Sequence, residues 1–477
     1  MTRLLLTACV GVQLLAAQTP SLVIRGASVF DSVSGTMLSG RTVVIAGDRI
    51  ASIGSPERPV RIPRGARSID GRGKFLIPGL IDAHAHATYV LDFAHMTGEQ
   101  IFPLFLGNGV TSIRSTGDLM VAQKLLSRYA DEHPELSPRM FLCSPLIDGN
   151  PPYHGYWGRP ITNPDKVPEF VADMAEWGVS TFKLYVGTER PVGRKVIEEA
   201  HKRGLVVTGH LGKYSAQDAV ADGIDCLEHI WGVFNFIFPE HIWGVFNFIF
   251  PPGGPKPGET ALERRANVDL ESPIAKDLIA AIKARQVFVD PTLAMCRNMI
   301  LLADLPEYYQ HADNAGMPEA LKKYWLKYRA GRMTTALSPE TLDLRRREFQ
   351  KYKELTGILY RAGVPLLAGT DTPEPFCPPG SSLHQELEML VESGLPPAAA
   401  LQAATINNAR VLHAEGKLGS IEAGKLADIV VLDADPLAAI QNSRKIFKVI
   451  KGGRVLDPNT LLKPARNSLP GKPAGSQ

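Results

Sequence analysis

The chain has 477 residues, of which 44% are hydrophobic and 21% charged, with a formal net charge of +3. That is an ordinary globular balance, with length enough for a large barrel and a second domain. The small charge and the absence of a long basic run give no expectation of a nucleic-acid partner or of steering by a strong field.

The N-terminus reads MTRLLLTACVGVQLLAAQTP. Arg3 supplies a positive start, Leu4 to Ala17 an apolar core, and Ala16-Ala17-Gln18 a small-residue cleavage zone. Residues 1–18 are therefore expected to be a signal peptide, and the mature chain to be exported to the periplasm or beyond. Leu6-Thr7-Ala8-Cys9 resembles a lipoprotein box, but the apolar run before Cys9 is short for one. No later segment is apolar over the length of a membrane span. Cys9 leaves with the signal, and Cys143, Cys226, Cys296 and Cys377 are far apart, so buried free thiols are expected.

Residues 22–24, 42–45 and 49–53 are β-rich runs between Gly, Asp and Ser turns, and residues 428–432, 446–450 and 452–455 form a matching set. The two chain ends, residues 19–74 and 418–460, are expected to pair into one small β-sandwich domain. Residues 461–477 carry Pro, Gly, Ser and Lys and are expected to be a disordered tail.

Between the ends, helical patterns alternate with apolar strand cores at 76–77 (leading to His86), 110–113, 140–142, 179–182, 205–207, 224–227, 287–289 and 364–367. Gly109, Gly178, Gly204, Gly223 and Gly363 each stand just before a strand, where a helix C-terminus needs a left-handed residue. Alternating strands and helices mean a parallel sheet. Eight of them over residues 75–417 predict an α/β fold, a (β/α)8 TIM barrel. An open doubly wound sheet is the competing arrangement, and it lacks its glycine-rich phosphate loop.

Two inserts interrupt the rhythm. Residues 297–359 are charged and helical in pattern and predict a cap over one barrel mouth. Residues 228–239 read EHIWGVFNFIFP, and residues 240–251 repeat them without change. His229 continues the strand at 224–227, so it is assigned to the barrel and His241 to extra loop.

The chemistry stands at the strand ends. His84 and His86, two apart, share one face of a strand. Lys183, His210, His229 and Asp371 end four later strands. A lone His there is usually structural, but this many landing on strand ends at one mouth is hard to obtain by chance. Imidazoles and carboxylates are ligands for zinc-like ions. A lysine on an apolar strand either finds a carboxylate partner or loses its charge, and a neutral amine can be carboxylated into a short anionic bridge.

The set resembles the amidohydrolase superfamily, metal-dependent hydrolases on a (β/α)8 barrel. Residues 78–86 (PGLIDAHAH), 109–118 (GVTSIRSTGD) and 383–437 carry the resemblance. Lys183 points to the binuclear branch, and the similarity is to imidazolonepropionase-like and prolidase-like (Xaa-Pro and Xaa-Arg dipeptidase) members. The resemblance implies two divalent ions, zinc by type. His84 and His86 with Asp371 bind one, His210 and His229 bind the second, and carboxylated Lys183 bridges them together with a hydroxide. Asp371 is implied to act as general base and then acid. The implied substrate is a small molecule with an amide bond, a dipeptide or an N-acyl amino acid. Arg114, His154 and Tyr185 are candidate substrate contacts, with a structural ion pair as the other reading of Arg114 and packing as that of the aromatics. His154 sits in DGNPPYHGYWG with Tyr153, Tyr156 and Trp157. A lactonase or phosphotriesterase could use the same site. A deaminase is disfavoured, because such relatives use one metal and lack the lysine. An inactive barrel acting as a binding module should have lost ligands, and none is lost. Homo-oligomerisation is left open.

Overall fold

The computed structural model describes residues 22–231, 260–300, 312–332 and 337–467. The expected signal peptide, most of the duplicated segment with His241, and the last ten residues of the tail, 468–477, lie outside the described residues.

The β-rich run at the N-terminus forms an antiparallel meander, β1 (Leu22–Asp31), β2 (Thr36–Ala46) and β3 (Arg49–Gly54), with β4 (Arg67–Asp70) and β5 (Phe75–Pro78) each parallel to β1. The chain then changes partners. Gly79 donates its N–H to the Asp428 carbonyl at 2.8 Å, and Leu80 donates to the Gly109 carbonyl at 3.0 Å. This corrects one expectation: residues 76–77 belong to the composite sheet, and the first site-bearing strand is β6 (Leu80–Ala85).

The strands that follow are β7 (Val110–Ser115), β8 (Arg139–Leu142), β9 (Leu146–Asp148), β10 (Gly158–Pro160), β11 (Thr181–Leu184), β12 (Val206–Gly209), β13 (Cys226–Glu228) and β14 (Phe288–Asp290). They form two parallel sheets, β6-β7-β8 and β10-β9-β11-β12-β13-β14, with helices in the connections except the short link from β8 to β9. β6 and β7 are buried at every residue, as strands covered on both faces must be. The fold is α/β. Gly223, at φ +98°, closes the helix Ala216–Asp222 in the left-handed conformation that a side chain would disfavour, and the chain turns straight into β13.

Backbone bonds join the two parallel sheets. Ser180 donates to Leu142 and Ser144 to Thr181, both at 2.9 Å. Residues 364–367, expected as a strand, make only a single bridge, Leu366 to Val289, because Pro365 has no N–H to give. From there Ala83 donates to Ala368 at 3.1 Å, Asp371 to His84 at 2.8 Å and His86 to Thr372 at 2.7 Å.

The C-terminal strands β15 (Ile429–Leu432), β16 (Ile446–Lys451) and β17 (Arg454–Leu456) enter the first sheet through β15 beside β5, giving the order β17-β16-β15-β5-β1-β2-β3. Leu22, Ile24, Val43, Ile45, Leu76, Ile429 and Val431 make its core, so both chain ends bury against each other. The tail expectation is corrected in part. Residues 458–467 form a helix, and Leu462 packs against Gly107.

The insert holds the helices Leu293–Ile300, Ala312–Ala315, Glu319–Arg332 and Pro339–Ala362. The Trp325 indole N–H donates to the Pro373 carbonyl at 2.9 Å, two residues past Asp371. The four described cysteines are buried and free. Among the described residues, no helix is long and apolar enough to cross a membrane.

One histidine ties the layers. His384 is fully buried, with Nε2 3.0 Å from the Asn108 carbonyl and Nδ1 2.9 Å from the Ser443 hydroxyl. Burial pushes its pKa down from 6.5 to about 3. A histidine depressed in the folded state stabilises fully above its unfolded pKa and loses that contribution as pH falls toward the folded value. The stability difference between wild type and His384→Gln, followed by urea unfolding, is therefore expected to be flat above pH 6.5 and to shrink below it. A difference that does not change with pH over that range would show that His384 is not held neutral.

Candidate metal centre

The site forms where β6 ends. His84 and His86 alternate with buried apolar residues, and their rings lie 5.3 Å apart. Asp371 comes to them from the far end of the α/β region. Its Oδ1 is 2.9 Å from His86 Nε2 and 3.2 Å from His84 Nε2. The three are buried, and their ligand atoms converge.

His229 follows β13 directly. Its ring centroid is 4.8 Å from that of His84 and 4.6 Å from that of His210, which follows β12. Lys183 lies inside β11, 1% exposed, and its Nζ has no hydrogen-bond partner. The structure thus brings His84, His86, Lys183, His210, His229 and Asp371 to one end of the parallel strands.

Two of these residues sit in strained backbone. His229 has φ +63° and Asp371 φ +59°, and Thr292, whose hydroxyl is 2.8 Å from His229 Nδ1, has φ +46°. Such conformations cost roughly 1–3 kcal/mol each for a residue with a side chain, and they gather at functional sites.

Electrostatics sharpen the picture. Burial lowers the Lys183 pKa against the pull of Glu228 and Asp371, which favours the neutral amine. Burial, with Lys183 nearby, takes His84 down to about 4 and His210 down to about 3. Burial opposes the charge on His86 too, but Asp118 and Asp371 outweigh it and raise that pKa to about 9. Asp371 is held well below the usual carboxylate range: burial resists, and His84, His229 and His86 prevail.

The donor set fits divalent cations. Imidazole nitrogens, a carboxylate and a lysine amine crowd together, and His84 Nε2, Asp371 Oδ1 and Lys183 Nζ are buried with no hydrogen-bond partner. Buried polar atoms without partners are expensive, and a borderline cation such as zinc would satisfy this set.

The candidate substrate contacts divide. Arg114 is fully buried beneath the site, donating from Nε to the Ala83 carbonyl and from Nη2 to Glu228 Oε1, both at 2.5 Å. It is a structural ion pair and does not reach the mouth, which corrects the substrate reading. Tyr185 packs against His210 with centroids 4.8 Å apart. His154 Nε2 is 3.1 Å from the Tyr89 hydroxyl, and the Tyr89 ring stacks on His86 at 4.2 Å. Trp157 is buried edge-on to Tyr89, which leaves Tyr153 and Tyr156 as the exposed aromatics of that loop.

Sequence reasoning missed Glu228, Asp290 and Asp118. Glu228 Oε2 accepts from His84 Nδ1 at 2.7 Å, and Asp118 Oδ1 lies 3.1 Å from His86 Nδ1. Asp290, at the end of β14, has both oxygens buried without a hydrogen-bond partner, 3.8 Å from His84 Nδ1 at its closest. Each was visible as an acid at or just past a strand end.

Over 210 residues the chain is 30% identical to adenine deaminase 3 of Rhizobium johnstonii, covering 41% of this chain and 33% of that protein. It is 36% identical over 106 residues to imidazolonepropionase of Geobacillus kaustophilus, covering 20% of this chain and 24% of the relative. The matched stretches thus span a third or less of these relatives' own length. A crystal structure of a Xaa-Pro dipeptidase with methionine in its active site superposes with a TM-score of 0.63 at 20% identity, over 91% of this chain and 99% of that one, which shows a shared fold. The sequence profile of the Amidohydrolase family matches residues 75–242 and 269–456, most of the chain, so this chain belongs to the amidohydrolase family.

Proposed function

We propose that this chain is an exported metal-dependent amidohydrolase that cleaves the amide bond of a dipeptide or N-acyl amino acid. The observation that carries the reading is the convergence of buried His84, His86, Asp371 and His229 with half-buried His210 near an unpartnered Lys183. The backbone bonds from β8 to β11, from β14 to Leu366 and from residues 368–372 to β6 support a closed (β/α)8 barrel, capped by the helices of the insert. The composite sheet supports a small β-sandwich from both chain ends.

In this reading His84, His86 and Asp371 hold one divalent cation and His210 and His229 a second. Lys183, its neutral amine N-carboxylated by CO2 to an anionic carbamate, would add a ligand to them. Two such cations, zinc by donor type, would supply an acidified water and a polarised carbonyl. Asp371 has Oδ1 free of hydrogen bonds to take the proton from the attacking water and return it to the departing amine. Tyr89, His154, Trp157 and Tyr185 wall the site with rings, which exclude water and orient the substrate by contact. The imidazolonepropionase relative and the dipeptidase neighbour both favour carbon–nitrogen cleavage. The deaminase relative favours release of ammonia as a second reading.

A screen over dipeptides and N-acyl amino acids, with adenine, lactones and phosphotriesters alongside, discriminates these. Amide cleavage is expected to dominate, and turnover confined to adenine or to esters would overturn the assignment. Elemental analysis of the purified chain is expected to find two divalent ions, and one or none would remove the binuclear part. Lys183→Ala should lose both ions and activity, with partial rescue by a small carboxylic acid. Asp371→Asn should lower kcat by about 10²–10⁴-fold, the range for a lost proton carrier. His229→Ala is expected to abolish turnover while His241→Ala retains it, and the opposite result would move the second duplicate into the site. Export is tested by N-terminal sequencing of the mature protein, where an intact Met1 would contradict it.

A further inference from the structure

We propose that Glu228 is the positioning residue that fixes which nitrogen of His84 faces the metal centre, and that Arg114 holds Glu228 to that task. The inference rests on the metal-centre reading above and concerns a residue outside its ligand set.

The geometry is specific. Glu228 ends β13 with no exposed surface. Its Oε2 is 2.7 Å from His84 Nδ1. Its Oε1 accepts from Arg114 Nη2 at 2.5 Å and from the Thr208 hydroxyl. Both oxygens are thus engaged, and an ionised carboxylate can only accept. His84 must therefore carry its proton on Nδ1, which leaves the Nε2 lone pair directed toward Asp371, 3.2 Å away. The other acid nearby, Asp290, comes within 3.8 Å of the same nitrogen but makes no hydrogen bond. Glu228 alone sets the tautomer.

Arg114 closes the arrangement from the other side. Besides Glu228 it binds the carbonyl of Ala83, the residue preceding His84. One guanidinium thus fixes both the strand that carries the ligand and the carboxylate that orients it. Among the described histidines of the centre, His86 and His229 show the same design in weaker form, with Asp118 and Thr292 at their Nδ1 atoms. Only His84 receives a carboxylate locked by its own cation. Outer partners of this kind orient a ligand and raise its basicity, and losing one typically weakens metal binding by ~10–100-fold.

The test compares wild type with Glu228→Gln after stripping and reloading with cobalt. The amide is isosteric but cannot remain an anion paired with Arg114. Competition with a chelator is expected to show ~10–100-fold weaker retention, and the visible absorption of the cobalt form should change, while the far-UV circular dichroism stays that of wild type. A purely structural role would lower the melting temperature and leave the cobalt spectrum alone, and that result overturns the proposal. If the single variant does not fold, Arg114→Met with Glu228→Gln removes both charges and is read in the same way. A crystal structure of the metal-loaded wild type provides a readout that needs no variant: Nε2 of His84 on the metal with Nδ1 on Glu228 supports the proposal, and Nδ1 on the metal overturns it. Wild type that retains no metal would bring down the metal-centre reading itself. Wild type and variant that retain it equally would bring down only this inference.

Discussion

One backbone hydrogen bond joins the start of the α/β region to its end. The Asp371 N–H donates to the His84 carbonyl at 2.8 Å, with Ala83 to Ala368 and His86 to Thr372 on either side. Residues nearly three hundred positions apart are thereby held as neighbours. The bond also aims the chemistry. With φ at +59°, Asp371 turns its carboxylate back between His84 and His86 instead of following the direction of an extended chain. The neighbouring Thr370 is pinned as well, its hydroxyl on Asp82 Oδ2 at 2.7 Å and its N–H on Asp82 Oδ1 at 3.1 Å. The strain at Asp371 is tolerable only because the bonds around it leave the backbone no alternative.

The second constraint is electrostatic. Arg114, Lys183, Glu228, Asp290 and Asp371 are all buried or nearly so. Isolated charges in such surroundings cost several kcal/mol each even after relaxation. The structure manages this by dividing them. Arg114 and Glu228 satisfy each other, and burial shifts Lys183 toward its uncharged form. A buried pair of this kind adds little net stability, since apolar side chains of similar size would often serve better. Its retention makes sense as geometry: it holds one carboxylate in one place beneath one histidine.

Much of this was legible from the residues. The H-x-H spacing, the apolar strands and the glycines before them depend on local rules of period and backbone freedom, which a sequence displays directly. His210 after Val206-Val207-Thr208-Gly209, and Asp371 after Leu366-Leu367-Ala368-Gly369-Thr370, could be placed by counting from the strand. What escaped depended on distance. Arg114 could be read as a substrate contact or as half of an ion pair, because its partner is not near it in sequence. Its partner Glu228 lies 114 residues on, brought there only by the pairing of β12 with β13 and the order of the sheet. The strand break at Gly79 was hidden for a similar reason. Both sides of it are apolar and extended, and only the identity of the hydrogen-bond partners, Asp428 on one side and Gly109 on the other, separates the two sheets.

That break bears on the site more than its position suggests. β5 is held between β1 and β15, so the composite sheet grips the chain immediately before β6 begins. From Gly79 to His84 there are only five residues, and in an extended strand each advances about 3.3 Å with side chains alternating in face. A slip of one residue at the switch would exchange the faces of His84 and His86 with those of Ala83 and Ala85, turning both imidazoles away from Asp371. The register is fixed at both ends, by β15 pairing Ile429 with Pro78 and by Asp371 bonding His84. The two chain ends therefore do more than close a small sheet. Their pairing is the anchor from which the first ligand strand is measured, which ties the C-terminal strands to the metal centre although none of their residues lies in it.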